Sequence, residues 1–333
     1  MLRSTLKTLT VLVLILCLDV SAKGAAEPTA FDVGVSGNGV TFFTLWMAEA
    51  GGFFKKAGLN VQVVDLPGGT RSLQVLLAGK IAATHAGLGP VTQANNQGAD
   101  LRMIASTSNT IPFTIFSDPN VKTAADLKEG KIGISTFGSE ADLAVALALK
   151  QLGLNRKDVT VVQIGENATR LQALLAGQLT ATPLAEPMAS LARAQGLNPL
   201  IDFTTVPWVS TGVVVKRNQL ESQRGLVASF LRAYIEGAYL ARADEQQAKQ
   251  VIKFKYKTND ANAINATYNE FKRTMPVDAE ASRAGAENVF EQMQAIGLNV
   301  GSRKIEDHIS NDIIQSLRTE GFFNAMKRKY SIQ

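Results

Sequence analysis

The chain has 333 residues, 46% of them apolar and 19% charged, a balance that excludes a disordered chain and leaves room for two domains with cores of their own. A formal net charge of +5 is mildly basic and suits an anionic ligand. The single cysteine, Cys17, sits in a leader-like segment. Arg3 and Lys7 form a positive n-region there, residues 9–18 an apolar run, and Val20, Ser21 and Ala22 a small-residue cleavage site. Ten apolar residues are too few to span a bilayer, which takes about 20 as a helix. The expectation is a signal peptide over 1–22, a mature chain without cysteine that begins near Lys23, and a periplasmic address. Leu16 stands where a lipid-anchor signal needs a small residue before Cys17, so no lipid anchor is expected.

After the leader, residues 31–36 alternate as a strand, Gly37, Asn38 and Gly39 break it, and Phe42, Leu45, Trp46 and Phe53 recur at helical spacing. Gly58 closes that helix. Residues 61–65 read as a strand, Pro67, Gly68 and Gly69 turn into a helix from about Thr70 to Gly79, and 81–86 is a third strand. Pro90 fits the first turn of the next helix, and 101–106 is a further strand. From 131 the same order returns: strand 132–135, a turn at 136–139, helix 140–152, strand 159–164, helix 169–176, strand 179–184 and a helix opened by Pro187. The repeat is visible letter by letter, since LQVLLAGKIAAT at 73–84 becomes LQALLAGQLTAT at 171–182, ninety-eight positions later.

Strands alternating with helices imply parallel pairing through right-handed crossovers. The predicted fold is α/β, with two similar lobes of mostly parallel sheet joined by two crossover strands. The turn at 117–120 and the segment 205–208 are the expected crossovers. Residues 213–215 then return to the first lobe, and 218–333 read as helices without a third repeat. The expected domains are 29–117 with 207–333 as a discontinuous first lobe and 118–206 as an inserted second.

The phrase GFFKKAGLNVQVVDLPGGT at 52–70, with the Leu-Ala-Gly helix end after it and Ala124, Asp126, Leu127, Lys128 and Gly130–Gly133 in the second copy, resembles a known family. It is similar to the NMT1/THI5-like solute-binding proteins of bacterial ABC importers for sulfonates, taurine, nitrate and thiamine-pyrimidine precursors. The resemblance runs from about 31 to 215. It implies two lobes that clamp a ligand and deliver it to a membrane permease. Ala82 and Thr180 replace the family's usual acidic residue after each Ala-Gly turn.

In open parallel sheets, ligands sit beyond the carboxyl ends of the strands, facing helix N-termini that offer free N–H groups and partial positive charge. This places Thr41, Phe42, Gly69, Thr70, Arg71, His85 and Gly87 of the first copy at a cleft, opposite Thr136, Phe137, Gly138, Ser139 and Glu186 of the second. Thr41, Thr70, Thr136 and Ser139 either cap helices or donate to a ligand. Arg71 either pairs with a sulfonate or carboxylate or lies on a solvated helix face. His85 either donates to a ligand or satisfies a neighbouring carbonyl, and Glu186 binds a ligand amine or neutralises Arg71 across the cleft. Phe42, Phe43, Phe137 and Trp208 offer aromatic faces, whereas Trp46 and Phe53 read as core.

Two histidines, the lack of a mature cysteine and the absence of HExxH or phosphate-loop signatures speak against catalysis and a catalytic metal. Lys253 to Lys257 interleaves basic and aromatic residues, but one such run lacks the extended footprint of a nucleic-acid binder. The expectation is thus a non-enzymatic, monomeric binding protein without cofactor, whose partners are a small organic anion and an importer permease. A periplasmic sensory module and a thiamine-pyrimidine synthase-like enzyme are the alternatives.

Overall fold

Two five-stranded sheets organise the chain, and a computed structural model describes residues 27–36 and 39–332 of it. The leader at 1–22 and the turn residues Gly37 and Asn38 lie outside the described residues. In chain order the strands are β1 (Thr29–Ala30), β2 (Val33–Val35), β3 (Leu59–Asn60), β4 (Val63–Asp65), β5 (Ala83–Gly87) and β6 (Leu101–Ser106), then β7 (Thr114–Ser117), β8 (Lys131–Ile134), β9 (Thr160–Gln163), β10 (Ala181–Leu184), β11 (Asn198–Asp202) and β12 (Thr211–Lys216). The first sheet has the order β4-β2-β5-β12-β6 and the second β9-β8-β10-β7-β11, with β1 and β3 as a separate parallel pair. Strand for strand these are one topology. In each sheet a single strand, β12 or β7, runs against the other four.

That antiparallel strand is the one that has just crossed from the other lobe. β7 follows β6 and pairs with β10 and β11, so the first crossover spans 107–113, ahead of the turn at 117–120. Residues 114–117 read TIFS and are buried throughout, which a sheet interior rewards more than a linker does. The return crossover, 203–210, runs beside it: Thr110 bridges Pro207, and the Trp208 and Ser210 N–H groups donate to the Asn109 and Ser108 carbonyls at 2.9 and 3.0 Å.

The repeated sequence has repeated structural duties. Thr84 donates its hydroxyl to the Gly34 carbonyl at 3.1 Å, and Thr182 to the Gly133 carbonyl at 2.8 Å. Leu73 and Leu76 are buried beneath one sheet, Leu171 and Leu174 beneath the other. Helix Glu140–Gln151 starts where it does because Ser139 Oγ accepts from the Asp142 N–H at 3.3 Å and because Glu140 and Asp142 complement the N-terminal dipole.

The C-terminal helices complete the first lobe. The 20-residue helix Arg224–Ala243 lays Phe230 on Phe31 and Phe54, with ring centroids at 4.5 and 5.4 Å. Helix Arg283–Ala295 packs beside the crossovers, where Gly285 leaves no room for a side chain against the Trp208 backbone. Trp46 and Phe53 are buried in the same core as Phe230. Among the described residues no helix is long and apolar enough to cross a membrane.

Candidate functional site

The carboxyl ends of both sheets face each other, and between them lies a pocket of about 60 Å³. Helix starts ring it. Helices Gly69–Leu77 and Leu88–Asn96 begin there from the first lobe, and Glu140–Gln151 and Asn167–Leu175 from the second. Helix N-termini converging from both sides supply N–H groups and positive potential to whatever lies between.

Of the residues singled out from the sequence, Thr41, Phe42, Gly69, His85, Gly87 and Ser139 line this pocket. Phe42 meets the His85 ring edge-on at 5.4 Å. His85 Nε2 shares a 3.2 Å hydrogen bond with the Tyr234 hydroxyl. Burial lowers the His85 pKa to about 4, with the Gly34 carbonyl opposing, so the ring is neutral at physiological pH.

The others lie elsewhere. Thr70, Thr136 and Gly138 form the seam where the lobes touch: a methyl group on Gly68 would sit 2.5 Å from Thr136 Oγ1, and one on Gly138 3.7 Å from Thr70 Oγ1. Phe137 is 49% exposed and stacks under Arg156, where both line a separate groove. Arg71 is exposed and donates to Gln74 at 3.3 Å. Glu186 accepts from Arg193 at 3.3 Å and from the Ser190 N–H at 3.0 Å, so it engages its own lobe instead of Arg71. Trp208 is completely buried behind the pocket wall.

What Trp208 does there is hold Glu140. Its indole N–H donates to Glu140 Oε1 at 2.6 Å, and the Ser210 hydroxyl donates to the same oxygen at 3.3 Å. Glu140 reaches from the second lobe to the return crossover and lines the pocket. Its burial pushes the carboxyl pKa up to about 7, against the lowering effect of Trp208 and Ser210. Sequence reading stopped one residue short of it, because a Glu in a first helical turn is an ordinary dipole complement.

Asn167 and Phe113 also line the pocket. Behind Asn167, the buried Arg170 donates to Asn167 Oδ1 at 2.6 Å, to the Pro183 carbonyl at 3.1 Å and to the Gly165 carbonyl. Burial lowers the Arg170 pKa to about 10. Its charge is spent on protein acceptors. At the mouth, Glu166 is raised to about 7, first by burial and then by Asp65 across the cleft. Among the described residues, His85 and Glu140 are the only ionisable side chains lining the pocket, and no cluster of His, Cys, Asp and Glu could hold a metal ion.

A mixed α/β molecule with two like sheets, crossed twice and with a pocket between them, has the periplasmic-binding-protein fold. The NMT1/THI5 like family matches residues 40–248, more than half of the chain, and the chain belongs to that family. A Haemophilus influenzae protein named for thiamine biosynthesis is 25% identical over 257 residues, covering 74% of this chain and 79% of its own length. A Bordetella bronchiseptica structure superposes with a TM-score of 0.81 at 20% identity, covering 88% and 98% of the two chains. The ligand-binding component of an ABC-type import system from Staphylococcus aureus, with zinc bound, gives 0.68 at 13%, over 86% and 98%. The alkanesulfonate-binding protein of Xanthomonas axonopodis pv. citri, bound to MOPS, gives 0.71 at 19%, over 86% and 99%. At these identities the structures share the fold.

Proposed function

We propose that this chain is the extracytoplasmic solute-binding component of an ABC importer, capturing a small solute between its lobes and presenting the closed form to a membrane permease. The observation that carries this reading is the pocket ringed by four helix N-termini, two from each lobe. A solute bridging both sets of N–H groups favours the closed arrangement over the open one, and that difference in affinity drives closure. The solute's acceptor groups, those of a small organic anion such as a sulfonate or carboxylate, would face these N–H groups. The family membership and the import-system and alkanesulfonate-binding neighbours support this role. We place the lobe boundaries at the crossovers, with 29–106 and 211–332 forming the first lobe and 114–202 the second.

The role is binding without chemistry. Among the described residues the pocket offers no lysine or cysteine, and its histidine is neutral and tied to Tyr234. The thiamine-biosynthesis name of the Haemophilus relative favours one competing reading, an enzyme of pyrimidine synthesis. Calorimetry and turnover assays on the solute that co-purifies separate the two. Stoichiometric binding with the solute recovered unchanged supports transport, and its conversion to product overturns it. Export is tested by N-terminal sequencing of protein from the producing cell, where a start near Lys23 is expected and an intact cytoplasmic Met1 would refute it.

A further inference from the structure

We infer that the solute carries an N–H donor, and that Glu140 Oε2 is the acceptor that selects it. The inference rests on the interlobe pocket being the solute site. Three observations converge on this oxygen. Glu140 is buried in the pocket wall, and Oε1 is already occupied by the Trp208 indole and the Ser210 hydroxyl. Oε2 is buried and has no hydrogen-bond partner among the described residues. Gly87, facing it across the lobe boundary, is where a methyl group would overlap Oε2. Gly87 has an ordinary extended backbone, φ −72° and ψ 155°. A side chain is therefore excluded there by the carboxylate itself, not by the backbone conformation.

A buried acceptor left unpaired bears its full desolvation penalty, and a buried carboxylate bears more. The described residues supply no cation to offset it: His85 is neutral, Arg170 is saturated by carbonyls, and Arg71 lies outside the pocket. The other polar groups around the cavity are helix N-termini, which are donors, and the uncharged side chains of Ser36, Thr41, Ser135, Ser139, Asn167 and Thr211. A solute made only of acceptors would satisfy those N–H groups and leave Oε2 bare. One that pairs its acid or carbonyl group with an amine, amide or amino-heterocycle N–H satisfies both. Burial raises the Glu140 carboxyl to about 7 against the two hydrogen bonds into Oε1, so the calorimetry belongs above pH 7, where the ionised carboxylate predominates and can only accept.

The test is a set of matched pairs, measured by calorimetry on residues 23–333: 3-aminopropanoate against propanoate, 2-aminoethanesulfonate against ethanesulfonate, and 4-aminopyrimidine against pyrimidine, together with the solute released from the protein and identified by mass spectrometry. The wild type should bind the amino member of a pair at least tenfold more tightly, and the released solute should carry an N–H. Glu140→Gln should erase that preference. Gly87→Ala, which displaces Oε2 without altering the carboxylate, should erode it in the same direction. Equal affinities within every pair that binds, a released solute without any N–H, or an amino preference that survives Glu140→Gln would overturn the role of Glu140 and leave the solute-binding reading standing. A chain that binds no pair member and releases no solute would overturn both.

Discussion

Ninety-eight positions separate the two copies of the repeat, and comparing them position by position divides the molecule into what the fold needs and what the cleft needs. Beneath the sheets the copies agree: Leu73 with Leu171, Leu76 with Leu174, Thr84 with Thr182, each pair equally buried. At the pocket they part company. Gly69 corresponds to Asn167 and Gly87 to Ala185 as repeat equivalents. Ser72 and His85 correspond to Arg170 and Pro183. The first lobe thus offers an aromatic ring, a neutral imidazole and glycine space, and the second a carboxylate and an amide. Duplication preserved the packing and left the two walls chemically complementary.

The comparison is broken most severely in the core. Leu76→Ala and Leu174→Ala should each cost about 2–5 kcal/mol and should match one another in urea unfolding, because both leucines fill the same place under equivalent sheets. A twofold disparity between them would mean that the lobes are not energetic equivalents. At the seam, Gly68 has φ +77°, so Gly68→Ala combines backbone strain of about 1–3 kcal/mol with a clash against Thr136. We expect weaker solute binding and a larger radius of gyration in small-angle scattering. Unchanged scattering and affinity would show that the seam is not formed in solution.

Acid and base behaviour sharpens the difference between the walls. The Glu140 carboxyl is raised from 4.5 to about 7, so its contribution to stability is complete below pH 4.5 and is lost as pH rises through 7. His85 is lowered from 6.5 to about 4, so its contribution is complete above pH 6.5 and is lost as pH falls through 4. The two slopes oppose each other between these limits. Glu140→Gln should remove one of them, and the melting temperature of the variant should climb more steeply from pH 4 to 6.5 than that of the wild type. Parallel curves would place Glu140 in solvent. The smallest effect belongs to Arg71→Ala, expected to change affinity by less than about 0.5 kcal/mol because its guanidinium is exposed; a tenfold loss in calorimetry would bring it into the site.

Much of the architecture is legible because the repeat is written in the core. Hydrophobic spacing and glycine turns locate the strands, and strand-end geometry points to Thr41, Phe42, Gly69, His85, Gly87 and Ser139, all of which border the pocket. What periodicity does not carry is tertiary. Phe113 sits in a crossover and Tyr234 on a helix about 150 residues from the histidine it holds. Glu140 looks like a helix-start acid until Trp208 and Ser210 arrive from the return crossover. Trp208 itself, beside a proline in a linking segment, looks accessible and is buried because helix Arg283–Ala295 covers it.

The central claim, that the lobes close on a solute, is tested most directly by an interlobe distance. Leu77 and Leu175 are repeat equivalents, one per lobe and both exposed, and the chain beyond residue 22 has no cysteine. Spin labels at Leu77→Cys and Leu175→Cys can therefore be read by pulsed electron resonance without background. With the solute recovered from the producing cell, the account predicts a single short distance, and after its removal a longer and broader distribution. One unchanged distance in both conditions would contradict it.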